Sequence, residues 1–290
     1  MKFTKMNGLG NDFIIVYGES ALPADAAALA EKLCNRYFGI GADGLVYILP
    51  SAKADFMMRI MNSDGSEAEQ CGNAIRCVAK YVYDHKFIDR TDITIETIGA
   101  GVQPLQLDVK DGIVTAVRVD MGEPILEGTK VPTTIDQNQI VRHPIEVEGR
   151  EFEFTAVSMG NPHCVIFCDS IDDELVTGIG AKIERHPLFP RRTNVEFVTP
   201  LPDGSLRMRV YERGSGETMA CGTGACAVGV AARLNGMIGD EVLVHLLGGD
   251  LEISWSGSGS VFMRGPAVEV FSGELSDAWL TDEAPSPATR

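Results

Sequence analysis

Basic residues are scarce in this chain: Lys and Arg number 25 against 41 Asp and Glu in 290 residues, a formal net charge of −16. Such a balance repels a phosphate backbone and anionic lipid alike, which argues against nucleic acid and membrane surfaces as partners. Long apolar runs are missing too, and none is long enough to span a bilayer. Gly, Asn and Asp interrupt the opening "MKFTKMNGLGNDFIIVYGES" before the core of a signal peptide can form. The seven cysteines do not make the even framework of a small secreted domain, so a reducing, cytoplasmic setting is expected. No C-x2-C knuckle of structural zinc is present, and "GLGNDF" lacks the GxGxxG of a dinucleotide loop, so neither metal nor nucleotide cofactor is expected.

What is present is ordinary globular composition, 44% hydrophobic, with length for two moderate domains. β-Rich or alternating runs recur: "DFIIVYG", "DFMMRIMN", "DITIETI", "GIVTAVRVDM", "REFEFTAVSM", "HCVIFCD", "TNVEFVTP", "LRMRVYE", "EVLVHLL" and "DLEISWS". Helical character marks Ala24 to Tyr37, Gly72 to Tyr83, Asp172 to Glu184 and Gly222 to Leu234. Strands following strands with few helices between them predict an α+β fold over a doubly wound parallel sheet. The stretch from Gly122 to Pro144, rich in Pro, Gly and Thr, reads as a crossing between lobes, with a boundary near residue 120. Residues 275–290 turn acidic and proline-bearing and read as a loose tail.

One internal repeat carries chemistry. "MNSDGSEAEQCGNAIRCVAKYV" and "YERGSGETMACGTGACAVGVAARL" share a strand, a polar turn and a Cys-Gly-polar-small opening to a helix, with Cys71 and Cys221 150 positions apart. Aligned on these cysteines, Gly72 meets Gly222, Asn73 meets Thr223 and Ala74 meets Gly224. A helix N-terminus offers unpaired N–H groups and a positive dipole end, which hold a carboxylate and lower a thiol from its usual ~8.5. Two such helix starts, in two similar lobes, would supply a thiolate and a thiol to one carbon, as racemisation without a cofactor requires. Cys34, Cys77, Cys164, Cys168 and Cys226 read instead as packing residues. A metal site built from Cys71, Cys77, Cys221, Cys226 and His163 has the donors, but its C-x5-C and C-x4-C pairs start at helices and do not read as a paired set of short zinc knuckles.

The motifs "MNGLGNDF", "GIGADGL", "MNSDGSEAEQCGNAIRC", "MGNPHCVIF", "RTNVEFV" and "ERGSGETMACGTGACA", with "RGPAVEVFSGE" near the end, resemble in order those of bacterial diaminopimelate epimerases. The resemblance implies a PLP-independent isomerase interconverting LL- and meso-2,6-diaminoheptanedioate in lysine biosynthesis. It implies two pseudo-symmetric lobes, each a mixed sheet or barrel wrapped around a central helix. These would be residues 1–120 plus a final strand at about 266–274, and residues 121–265. It also implies a homodimer, with Phe271 where relatives carry a dimer-supporting tyrosine.

By the same resemblance Cys221 is the proton acceptor and Cys71 the donor in the LL-to-meso direction, and His163 and Glu212 tune their ionisation. Gly72, Asn73, Gly222 and Thr223 form carboxylate cradles. Asn11, Asn62, Asn161, Asn194, Glu212 and Arg213 contact substrate. Gly44 and Ala74 depart from the family pattern, which commonly has glutamine and glycine there. Two rivals follow from the residues: a proline or amino-acid racemase of the same fold, and a thiol-ligated metal or redox protein.

Overall fold

The computed structural model describes residues 1–18 and 20–281. Its contacts divide it into two units, one made of Met1–Val117 with the chain from Pro266 onward, the other of Arg118–Gly265. Strands predominate in both, and the fold is α+β. No helix among the described residues is long and apolar enough to cross a membrane.

In the first unit β1 (Lys2–Gly8) and β2 (Asn11–Tyr17) form a hairpin turning at Leu9 and Gly10, both at positive φ. After α1 (Ala26–Cys34), β3 (Gly44–Leu49) lies parallel to β2 and antiparallel to β4 (Phe56–Asn62). A short β5 (Glu67–Ala68) folds back on β4 and leads into α2 (Gly72–Asp84). Next come β6 (Asp92–Thr97), parallel to β4, then β7 (Gly101–Lys110) and β8 (Ile113–Asp120). The returning strand Val268–Glu274 pairs antiparallel with β1.

Helix α2 packs against β1, β2, β6, β7 and the returning strand, and is buried on nearly every side. Its polar residues on one i, i+4 ladder are matched internally. The Arg76 guanidinium donates to the Gly72 and Pro266 carbonyls (2.9 and 3.1 Å) and to Asn73 Oδ1 (3.0 Å). Lys80 donates to Asp84 and to the Val114 carbonyl, each at 2.7 Å. Burying two cations is tolerable only because each meets an oxygen in its own unit.

The second unit repeats the plan. After β9 (Ile140–Val147) and β10 (Arg150–Ser158), β11 (Pro162–Phe167) runs parallel to β12 (Asn194–Pro200), which is antiparallel to β13 (Leu206–Glu212). The order continues through β14 (Gly216–Glu217), α4 (Gly222–Leu234), β15 (Glu241–Leu246), parallel to β13, β16 (Gly249–Ser254) and β17 (Phe262–Gly265); α3 (Gly180–Ile183) lies between β11 and β12. The register repeats as well: Phe13 pairs with Gly44 as His163 pairs with Asn194, and Leu45 with Met61 as Val195 with Tyr211. Each match is offset by the same 150 positions that separate Cys71 from Cys221.

Three segments differ from expectation. The stretch from Gly122 to Pro144 is not a free crossing: Ile125 bridges Ser158, and Val131, Ile135 and Ile140 enter the core of the second unit. Asp172 to Glu184 forms a π-helical turn, Glu174–Ile179, before α3, instead of one regular helix. Gly180 there lies so close to Tyr211 and Phe197 that a Cβ would stand 3.1 and 3.2 Å from them. Residues 275–281, expected as part of the tail, are anchored. The N-terminal ammonium donates to Leu275 O (2.7 Å), and Lys32 donates to Trp279 O while lying 4.4 Å over its ring. Residues 282–290 lie outside the described residues.

Helix α4, "GTGACAVGVAARL", is small on all sides and packs against β10, β11, β12, β15, β16 and β17. At Gly229 a Cβ would lie 2.6 Å from Ile253 Cγ2. Alanine is the better helix former by about 1 kcal/mol, yet overpacking costs about 1–3 kcal/mol. Gly229→Ala should therefore lower the urea midpoint; a raised midpoint would show that the strand yields freely.

Candidate active site

Both buried helices open on a cysteine in extended conformation, Cys71 at φ −151° and ψ 114° and Cys221 at φ −119° and ψ 107°. Serine, threonine, aspartate or asparagine is the usual residue at that position. Each cysteine carbonyl accepts the first helical bond, from Ile75 N (3.0 Å) and Ala225 N (2.9 Å) respectively.

Around Cys71 the first unit gathers Asn11 and Asn73. Cys71 Sγ donates to Asn11 Oδ1 (3.8 Å), which also accepts from Asn73 Nδ2 (3.2 Å). Asn73 is held in turn by Arg76. The Asn11 amide is oriented from behind, because its Nδ2 donates to Asp43 (2.7 Å). Arg36 joins Asp43 to Asp12 (2.8 and 2.7 Å), and Lys5 reaches Asp12 (2.5 Å). Asn62 is not drawn to the thiol by any of these bonds, and its amide donates to Ser66 Oγ (3.0 Å) within the following turn.

Around Cys221 the second unit gathers Thr223, Glu212 and a buried histidine pair. Thr223 Oγ1 lies 3.5 Å from Cys221 Sγ. Glu212 accepts from the Thr218 hydroxyl and is hydrogen-bonded to the thiol. His163, fully buried, places Nδ1 2.6 Å from Glu196 Oε1 and Nε2 3.0 Å from Asn161 Oδ1. Asn194 donates to Pro162 O (2.8 Å) and accepts from Arg213 N (2.9 Å). The Arg213 side chain is exposed and donates to Arg191 O over a long 3.4 Å.

The electrostatics of Cys221 depart from expectation. Burial pushes its thiol well above the ordinary 9.0, and the Glu212 and Glu196 carboxylates push it further. The Thr223 hydroxyl and Gly224 N–H oppose them. A helix N-terminus alone thus does not bring this thiol near neutrality, because two anions share its enclosure. Burial likewise raises Glu212, against the hydrogen bonds of Thr218 and Cys221 and the charge of His163. Cys77 and Cys34 are pushed up to about 12 by burial, as inert packing thiols are.

A model of the family described as diaminopimelate epimerase matches residues 3–127 and 155–270. The chain belongs to that family. It is 55% identical over 276 residues to the diaminopimelate epimerase of Pelotomaculum thermopropionicum, covering 94% of this chain and 98% of the relative. It is 53% identical over 278 residues to that of Desulfitobacterium hafniense, covering 95% and 98%. Among solved structures, a hydroxyproline epimerase from Agrobacterium vitis shares the fold at TM-score 0.70 and 18% identity, covering 97% of each chain. A methylitaconate-delta-isomerase does so at TM-score 0.67 and 16% identity, covering 100% of this chain and 99% of that one.

The two departures from the family pattern now have surroundings. Gly44 is buried between Phe13 and Asn62 in register, and a Cβ there would meet Met61 O at 3.1 Å. Ala74 is fully buried, whereas a Cβ at its counterpart Gly224 would stand 2.8 Å from Glu196 Oε1 and 3.2 Å from Cys221 Sγ. The position matching Glu196 in the first unit is Val46, so no carboxylate stands there. Sequence reasoning missed Asp43, Arg36, Asp12 and Glu196. Asp43 and Glu196 lie inside the quoted motifs "GIGADGL" and "RTNVEFV", but residues one step behind the reacting groups carry no signal of their own.

Gly224→Ala should therefore impair turnover strongly while Ala74→Gly costs at most about 1 kcal/mol of stability; equal effects in a kinetic and urea comparison would contradict the asymmetry. A second outcome concerns Asp12. Burial raises its carboxyl, yet Arg36 and Lys5 outweigh burial and hold it at about 2 against the ordinary 3.8. A depressed folded-state value stabilises above the unfolded value and is lost as pH falls through the folded one. Asp12→Asn should thus lower the urea midpoint at neutral pH, and the gap should close as pH falls from 3.8 towards 2. A gap independent of pH would contradict the ion pairs.

Proposed function

We propose that the chain is an isomerase that interconverts LL- and meso-2,6-diaminoheptanedioate by passing a proton between two cysteines, without a cofactor. The observation that carries this reading is the duplicated, buried helix opened by a cysteine, together with family membership over both copies. The Cys221 thiolate takes the α-proton of the LL isomer, breaking C–H and forming S–H. The Cys71 thiol then gives its proton to the opposite face of the planar carbanion. N–H groups at the helix starts, at Gly72 and Asn73 and at Gly222 and Thr223, stabilise the charge that develops on the α-carboxylate.

Because Cys221 shares its enclosure with two carboxylates, the thiolate needs positive charge nearby. The substrate's α-ammonium is one such source. Asn11, Asn62, Asn161 and Asn194 offer amide groups to the ammonium and carboxylate groups of substrate. Exposed Arg213 suits a second, distal carboxylate, which a proline-like substrate lacks. That difference favours diaminopimelate over a small cyclic amino acid such as the hydroxyproline bound by the Agrobacterium vitis hydroxyproline epimerase.

The reducing cytoplasm, which preserves thiols, is the compartment this chemistry suits. The enzyme works as a homodimer through the returning strand, where Val268, Val270 and Phe271 are exposed side by side and Phe271 meets the Phe3 ring edge-on at 6.0 Å.

LL-diaminopimelate should exchange its α-hydrogen with solvent deuterium without added PLP or metal, and Cys221→Ser should slow abstraction from that isomer sharply. A Cys71→Ser, Cys221→Ser double variant with wild-type turnover would refute the mechanism. So would stoichiometric zinc or iron lost, with activity, on Cys71→Ser.

A further inference from the structure

The constant offset between the two copies isolates one place where ionisable groups replace packing. On β2 and β3 the first unit carries Phe13 and Val46, 3% and 0% exposed; at the matching positions of β11 and β12 the second carries His163 and Glu196, both 0% exposed. Identical strand pairing thus forms with no charge in that position. A buried ion pair generally stabilises no more than well-packed apolar residues of similar volume. The pair is therefore not required by the fold.

Its geometry points to a specific charge state. Both His163 nitrogens face acceptor oxygens, Glu196 Oε1 at 2.6 Å and Asn161 Oδ1 at 3.0 Å. With the Asn161 amide oriented in this way, a ring carrying two N–H groups satisfies both, and that ring is an imidazolium. Glu196 Oε1 also reaches the first turn of α4, 2.8 Å from where a Cβ at position 224 would sit. Glu196 Oε2 has no hydrogen-bond partner, so the carboxylate is not spent on tying strands together. The other titratable groups beside this pair are Glu212 at the end of β13, Cys221 at the start of α4 and Cys164 on β11 itself.

We propose that Glu196 is a positioning residue for the epimerisation: it holds His163 as an imidazolium, and that charge acts on the Glu212–Cys221 pair so that Cys221 can ionise. The step balances. The S–H bond of Cys221 breaks, an O–H bond forms on Glu212, and the cation offsets the one negative charge the two groups share in either arrangement. The matching positions around Cys71 are Phe13, Val46 and Asn62, none of them ionisable, so the device serves one thiol only. The proposal rests on Cys221 being a reacting thiol.

The test uses the full chain. Nitrogen-15 imidazole spectra at neutral pH should show two N–H groups on His163 in the wild type and one in Glu196→Gln. In that variant kcat/KM for LL-diaminopimelate should fall about tenfold or more, the equivalent of one unit of displaced ionisation, with a displaced pH profile. Glu196→Asp, which keeps the charge, should recover part of the loss. The double variant His163→Phe, Glu196→Val, which copies the first unit, should fold with an unchanged or raised Tm and be impaired in turnover. A single N–H on wild-type His163, or a Glu196→Gln enzyme with the wild-type pH profile, overturns the proposal. The ring is read without turnover, so failure of the pair is distinguished from failure of the thiol mechanism.

Discussion

A helix that starts inside a sheet exposes backbone N–H groups where water is scarce, and something must be arranged around that end. In each unit the strands surround one helix, and the residue at its start is a cysteine instead of a hydroxyl or carboxamide cap. The consequence is a site defined by backbone: a carboxylate is favoured at the helix start, and a thiol stands beside it. The rest of each unit follows from enclosing that helix. Internal oxygens satisfy Arg76 and Lys80 on α2, and small residues keep α4 slim enough for six strands to pack on it.

The duplication is closest in backbone and furthest apart in charge. Strand register and helix bounds repeat at one offset, while Phe13 and Val46 become His163 and Glu196, Asn62 becomes Glu212, and Arg76 becomes Cys226. Such a division suits a reaction in which one thiol begins ionised and the other protonated. The local cost is visible at Gly224, which admits no side chain because a carboxylate and a sulfur crowd it, whereas the matching residue in the first unit is alanine.

Much of this was legible in the sequence, for identifiable reasons. Alternating strands such as "DFMMRIMN" and the Cys-Gly helix openings declare themselves by period and by residue type. Strand β3, "GLVYIL", has no legible period because it is buried on both faces and shows no alternation. Strand β1 is masked in sequence because Thr4 and Lys5, polar by type, are buried against Ser272 and Asp12. The anchoring of residues 275–281 depends on Met1 and Lys32, partners far away in sequence. For the site, the cysteines stood out, but the groups that set their charge did not. Glu196 reads as one polar residue in a strand until the pairing of β12 with β11 brings its carboxylate within 2.6 Å of His163.

The central claim is that two different thiols handle the proton. The most direct measurement is a single turnover of LL-diaminopimelate in deuterium oxide, with enzyme in excess and the product's α-position read by mass. Two thiols predict a meso product carrying solvent deuterium at the inverted carbon from the first turnover, with no protium carried over from the substrate. Protium retained there in a substantial fraction of product would mean that one group both removes and returns the proton, and would contradict the account.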